Sequence, residues 1–148
     1  MKAYKLISAI VITVSFLCGI RDASADDLVW QTSKSAAVSM AKSQNKYVLL
    51  LAGREICGNC NYMKYTVCES VSPSIRDLID QSFVPWFCNV DSSEEWGVYS
   101  YGLGSFYLPL ICVIDPNDPD NYLDRTTGTQ DPETFHARLL QYPPLDTD

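Results

Sequence analysis

Residues 46–63 read KYVLLLAGREICGNCNYM, and this stretch decides the fold. An unbroken apolar run, Tyr47 to Ala52, passes through Gly53, Arg54 and Glu55 into Cys57-Gly58-Asn59-Cys60 and then into a helical pattern. Apolar residues without polar alternation mark a strand covered on both faces. Two cysteines two residues apart at a strand-to-helix junction form a redox pair, half of a metal site or a structural bridge. The rest of the chain has to choose among these.

On the N-terminal side, Trp30 to Asn45 carries a helix signature. Thr32 or Ser33 can cap it, and Ala36, Ala37, Met40 and Ala41 fall on one face. On the C-terminal side, Cys60, Met63 and Val67 recur at helical spacing, so a helix is expected from Cys57 to about Cys68. Ser72-Pro73 reads as an N-cap followed by proline at the first helical position, with Ile75, Leu78 and Ile79 inward. FVPWFCNV at 83–90 predicts a second strand, which Pro85 confines to an edge or to a strand entry. Asp91 to Gly104 reads as one or two helical turns and a glycine-broken loop. LPLICVI at 108–114 is a third buried strand, opened by a proline. Dense turn chemistry at 115–119 separates it from a short fourth strand over 122–127. Asp131-Pro132 caps a final helix with Phe135, Leu139 and Leu140 inward, and the chain from about residue 142 is expected to be a loose tail.

Strands joined through helices imply parallel pairing, and a short turn between the last two implies a hairpin. The expectation is an α/β domain in three layers, a mixed central sheet of about four to five strands with helices on both faces. The cysteine pair then lies at the carboxyl end of the central strand, where open α/β sheets place their sites.

The first residues read differently. Lys2 and Lys5 precede an apolar segment, Leu6 to Leu17, and Ala23-Ser24-Ala25 supplies the small-x-small pattern of a cleaved secretory signal. Residues 1–25 are therefore expected to be a signal peptide and 26–148 the domain, placed in the periplasm or secreted. The apolar segment falls short of the roughly 20 residues a membrane span needs, so no stable membrane insertion is expected. Cys18 follows Leu17, where a lipoprotein signal requires a small residue.

The formal net charge is −7, from 11 basic and 18 acidic side chains. Without a basic stripe to meet phosphates, nucleic acid is excluded as a partner. The six cysteines include Cys18 in the leader. The other five, Cys57, Cys60, Cys68, Cys88 and Cys112, cannot all pair within one molecule, although an oxidising compartment favours pairing. A zinc site would need a second CxxC or paired histidines. His136 is the one histidine, so no metal is expected. Haem attachment would need histidine after Cys60, where Asn61 stands.

Four features in sequence order carry a resemblance. They are the strand ending in CGNC, FVPWFCNVD ending at Asp91, Leu108-Pro109 before ICVID, and Gly128 before the last helix. Together they resemble the thioredoxin superfamily over nearly all of residues 26–148. The chain is similar to exported thioredoxin-like disulfide oxidoreductases, among them solitary relatives of the disulfide-interchange C-terminal domain. The resemblance implies a protein thiol–disulfide oxidoreductase that needs no cofactor. It would act on cysteine-containing client proteins and exchange electrons with a membrane donor or acceptor. It also implies that Pro109 is cis and faces the cysteine pair, and that Leu108 pairs with the extended backbone of a substrate.

The chemistry of such a pair explains the residue types. Exchange needs a thiolate to attack and a second thiol to resolve the mixed disulfide. At a helix start, unpaired N–H groups and the macrodipole favour the anion, so Cys57 is the expected nucleophile and Cys60 the resolving thiol. Gly58 lets a client backbone approach, Asn59 offers an amide to either sulfur, and Glu55 is a candidate proton acceptor for Cys60. Cys88 and Cys112 are expected in the core on either side of the central strand. Two strand spacings of about 4.8 Å each exceed the reach of a disulfide. Cys68 is either free or paired with Cys88.

Three departures from the resembling family stand out. Leu51 occupies the position of its buried acid, Ile56 that of the tryptophan before the first cysteine, and Gly-Asn replaces Gly-Pro. They motivate a competing reading, a non-catalytic binding or chaperone module in which Cys57–Cys60 is a structural bridge.

Overall fold

The computed structural model describes residues 27–93, 95 and 107–145. Helix α1 spans Lys34–Gln44, strand β1 Tyr47–Gly53, and helix α2 Gly58–Tyr62, which continues as a π-helical turn over Met63–Val67. Helix α3 follows at Ile75–Ser82, then β2 at Phe83–Asn89, β3 at Leu110–Ile114, β4 at Asp124–Thr127 and helix α4 at Pro132–Leu139. The sheet order is β2-β1-β3-β4. Strand β1 pairs in parallel with β2 and antiparallel with β3, and β3 forms the expected hairpin with β4. This is a mixed four-stranded sheet within a thioredoxin-like α/β fold.

The two faces of β1 build the two halves of the core. Leu49 and Leu51 point into a cluster with Cys60, Met63, Val67, Ile75, Ile79, Phe83, Phe87, Ile111, Val113, Phe135 and Leu139. Val48, Leu50 and Ala52 point the other way, onto Ala37 and Ala41 of α1 and onto Cys88 and Cys112. Because successive strand side chains alternate between faces, a strand apolar at every position must be covered twice. The motif helix, α3 and α4 cover one side and α1 the other.

Local chemistry sets the ends of these elements. Ser33 caps α1 by accepting from the Ala36 N–H at 3.3 Å, and the Glu95 carboxylate accepts from the Lys34 N–H at 3.0 Å. Asn45 ends α1 in the left-handed conformation at φ 53°, as a C-terminal cap commonly does. Pro85 lies on edge strand β2, and its carbonyl accepts from the Gln31 N–H at 2.8 Å. A strand residue's N–H and C=O share one side, so the donor that proline lacks is missing from the outer edge and not from the β1 pairing. Asp131 caps α4 by accepting from the Thr134 N–H at 2.9 Å.

Several expectations are corrected. Helix α3 begins at Ile75, not at Pro73. Residues 70–74 instead close a turn through a Val71/Ser74 bridge and the Arg76 N–H bond to the Ser70 carbonyl, and the Ser72–Pro73 peptide within it is cis. Ala36 and Met40 are exposed, because the sheet meets α1 along the narrow Ala37–Ala41 stripe. Leu140 is 57% exposed, as it falls past the last inward turn of α4. The helix after the cysteine pair widens at Met63, where the Cys68 N–H reaches the Met63 carbonyl at 2.9 Å. The tail is held as far as residue 145: Tyr142 packs edge-on against Tyr47 at 5.6 Å, and the Leu145 N–H donates to the Asn45 carbonyl at 2.9 Å. The expected helical turns after Asp91 lie largely outside the described residues. Among the described residues no helix is long and apolar enough to cross a membrane.

Candidate active site

Strand β1 delivers the cysteine pair to the carboxyl edge of the sheet. A four-residue turn follows Gly53 and is closed by the Cys57 N–H bonding to the Arg54 carbonyl at 3.1 Å. Asn61 fastens the same turn from the helix, its amide donating to the Glu55 carbonyl at 3.0 Å. Cys57 is thereby the N-cap of α2, and its sulfur accepts from the Cys60 N–H at 3.2 Å. A sulfur held at this position faces donors that the helix itself cannot satisfy.

Cys57 and Cys60 form a disulfide, with Cα atoms 5.2 Å apart. The two sulfurs have unlike surroundings. Cys57 is half-buried, whereas Cys60 is fully buried beside Leu51, Met63 and Phe87. Such asymmetry is what exchange requires, one sulfur open to attack and one reached only from within the molecule.

A groove of about 420 Å3 runs beside Cys57, lined by Arg54, Ile56, Cys57, Tyr107 and Leu108. The Leu108–Pro109 peptide is cis. The Pro109 carbonyl accepts from the Gly128 N–H at 2.8 Å, and Gly128 adopts φ 80°, a value glycine reaches without strain. The fold therefore brings Leu108, distant in sequence, alongside Cys57, with the buried Pro109 next to it in the chain. Gly58 is exposed, and a side chain added there would meet nothing within 4 Å. Asn59 and Glu55 are exposed as well, and each projects from the turn or first helical turn into solvent. Ile56 is 92% exposed, while Leu51 is buried in the cluster that holds Cys60.

Two contributors escape sequence reasoning. A Cβ on Gly53 would stand 2.8 Å from the Cys60 sulfur and 2.9 Å from its Cβ, so the absent side chain makes room for the buried cysteine. A glycine closing an apolar strand just before the motif is the signal that could have found it. The second is Lys64, whose ammonium lies 4.1 Å from the ring centre of Phe87, 4.9 Å from that of Tyr65 and 5.6 Å from that of Trp30. Phe87 also packs near the Gly53–Cys60 contact. Nothing in the sequence gathers those three rings.

Cys68, Cys88 and Cys112 are free and buried. Register places Cys88 opposite Ala52 and Cys112 opposite Leu50, so β1 stands between them as expected. Cys68 lies under the motif helix and pairs with neither. Burial pushes the Cys112 thiol up to about 12, and pushes those of Cys68 and Cys88 above the usual thiol range. Tyr107 is 73% exposed in the groove, and residues 96–106, just before it, lie outside the described residues. Among the described residues no group of three His, Cys, Asp or Glu side chains is placed to hold a metal ion.

Comparison of folds agrees with this geometry. A thioredoxin from Thermus thermophilus superposes with a TM-score of 0.63 at 20% identity, covering 78% of this chain and 87% of that one. The oxidised C-terminal domain of DsbD from Neisseria meningitidis gives 0.57 at 16% identity, covering 77% and 99%. A poplar thioredoxin h gives 0.56 at 18% identity, covering 78% and 96%. At these identities the likeness is one of fold. No curated protein matches the chain by sequence. A CxxC pair at disulfide distance on this fold supports oxidoreductase-type chemistry in general terms. Residues 29–116 match a family model described as thioredoxin-like, and the chain belongs to that family.

Proposed function

We propose that the protein is an exported thiol–disulfide oxidoreductase that reduces, oxidises or isomerises disulfides in client proteins through Cys57 and Cys60. One observation carries the reading: a half-buried Cys57 at a helix N-cap, bonded to a fully buried Cys60, opens onto a groove whose other wall is Leu108.

In the reducing direction the pair starts as a dithiol. The Cys57 thiolate attacks one sulfur of a client disulfide, a mixed disulfide forms, and the other client sulfur leaves as a thiolate. Cys60, having lost its proton, attacks the Cys57 sulfur and releases the second client thiolate. Two electrons have passed to the client, and the protein is left with the Cys57–Cys60 disulfide. The oxidising direction runs these steps in reverse. The N-cap donor at Cys57 favours its sulfur as the anion, and a client strand laid along Leu108 would bring its sulfur to Cys57.

The leader at 1–25 supports export to the periplasm or beyond. In such a compartment sustained reduction needs a membrane electron donor and sustained oxidation an acceptor. Cys57→Ser should abolish reduction of a protein disulfide, and Cys60→Ser should accumulate mixed disulfides on Cys57. Full activity in the Cys57→Ser protein would sink the reading.

A second reading, a non-catalytic binding or chaperone module, draws on Leu51 and Ile56, where the resembling family keeps its buried acid and its tryptophan. On that reading the bridge should resist reduction to below about −300 mV, as structural disulfides do. A redox titration of the pair separates the two and sets the direction of exchange.

A further inference from the structure

The groove beside Cys57 has an unusual charge for this chain. The protein carries a formal net charge of −7, yet among the described residues the one charged side chain lining the groove is a cation, Arg54. Its other side-chain walls are apolar and solvent-facing, with Ile56 92% and Tyr107 73% exposed. Glu55 and Asp91, the anions adjacent to Arg54 in sequence and in space, do not line it.

Arg54 is also fixed relative to the reacting sulfur. Its carbonyl accepts the Cys57 N–H at 3.1 Å, which ties its backbone to the cysteine. Its Nε forms an ion pair with Asp91 Oδ1 at 2.9 Å, with both side chains about half exposed. Asp91 lies against the Nε edge of the guanidinium and holds it by charge, while the terminal Nη groups have no hydrogen-bond partner among the described residues. A guanidinium held along one edge keeps donors for a second carboxylate and has already lost part of its rotational freedom, which lowers the entropy cost of binding.

We propose that Arg54 selects clients, favouring an extended segment in which the cysteine is flanked by a carboxylate side chain and an apolar one. The carboxylate would meet the Arg54 Nη groups, and the apolar side chain would lie across Ile56 and Tyr107. The proposal rests on the exchange reading above. Elsewhere the acidic surface repels such segments, so the preference arises locally from this cation.

The test uses three homodimeric peptide disulfides, identical except for Glu, Gln or Lys beside the cysteine, each with the same apolar residue on the other side. Pre-reduced protein is mixed with each peptide in a single turnover. Two electrons pass to the peptide, and the protein is left oxidised. The ratio of second-order rate constants is read within each protein, so a general loss of activity cancels. For the unaltered protein the Glu peptide should exceed the Gln peptide by about three- to fivefold at low salt, the scale of an exposed ion pair. The preference should fade as salt screens it. Arg54→Gln should bring the ratio to about one, and Arg54→Glu should make Lys the preferred neighbour. Equal rates in the unaltered protein, or a Glu preference that survives Arg54→Gln, would overturn the selectivity while leaving exchange intact. Failure to reduce any of the three peptides would overturn the exchange reading and the selectivity with it.

Discussion

Gly53→Ala probes the closest packing at the site. The added Cβ would stand 2.8 Å from the Cys60 sulfur, 2.9 Å from its Cβ and 3.4 Å from the Phe87 ring. Two of these are shorter than van der Waals contact, and Cys60 is fully buried, so it cannot retreat into solvent. Overpacking of this kind costs about 1–3 kcal/mol. The two redox states do not share that cost equally. In the disulfide the Cys60 sulfur is tied to Cys57, whereas in the dithiol it can rotate away from the new methyl group. If the strain falls mainly on the oxidised form, the pair becomes easier to reduce. At 30 mV for about 1.4 kcal/mol, its midpoint potential should rise by about 20–60 mV. Equilibration in graded dithiothreitol buffers, with the thiols trapped and counted by mass, reads the potential. Urea unfolding of each form separately closes the thermodynamic cycle. An oxidised Gly53→Ala protein as stable as its parent would refute the packing argument. Equal destabilisation of both forms, with no change in potential, would refute the claim that the disulfide immobilises the sulfur.

Other consequences are more direct. In the native oxidised protein, Cys68, Cys88 and Cys112 should stay unmodified by iodoacetamide near neutral pH and react once unfolded, as peptide mapping by mass would show. Burial raises the Cys112 thiol to about 12, so its contribution to stability is complete below the ordinary thiol range and is lost as pH rises through it, because only the unfolded chain ionises there. Cys112→Ala should therefore flatten the fall of unfolding free energy above about pH 9 by close to 1.4 kcal/mol per pH unit. Arg138 ties α4 to the hairpin through Asp124, the Thr126 hydroxyl at 2.8 Å and the Ile111 carbonyl at 3.3 Å. With side chains 11% and 27% exposed in the Arg138–Asp124 pair, Arg138→Met should cost about 1–3 kcal/mol in urea unfolding, between the values for exposed and for buried pairs. A loss below about 0.5 kcal/mol would mean that the network is surface decoration.

What the sequence discloses depends on whether a feature is local. Strand β1, the helix after Cys57, the β3–β4 hairpin and the Ser33 and Asp131 caps all rest on neighbours in sequence, and they stand where periodicity and turn chemistry put them. The edge position of β2 follows from one proline. Helix faces were less legible. Met40 and Leu140 are apolar at plausible spacing, yet which side of a helix is covered depends on how flat its partner surface lies. The π-helical widening at Met63 and the turn at 70–74 depend on how distant segments close on each other. At the site, the cysteines and Leu108-Pro109 could be named from their motifs. The Arg54–Asp91 pair and the Trp30 and Phe87 rings at Lys64 join segments far apart in the chain, and the approach of Gly53 to Cys60 depends on the path of the turn between them, so spacing alone reveals none of them.

The unlike surroundings of the two sulfurs divide the chemistry between two parts of the fold. Cys57 is governed by its N-cap position, by the Cys60 N–H and by the solvent-facing groove. Cys60 is governed by Leu51, Met63 and Phe87, an apolar setting that disfavours a charged sulfur. Where the resembling family has an acid to take the proton of the second cysteine, this chain has Leu51, buried in the same apolar cluster as Cys60. On the exchange reading proposed above, attack on the mixed disulfide would wait until the packing opens far enough for that proton to leave. In the proposed exchange, the capturing step would be set by the exposed side of the pair, and the releasing step by the mobility of the buried side. Gly53, whose missing side chain leaves the room in which the Cys60 sulfur sits, is then where the fold would control that second step.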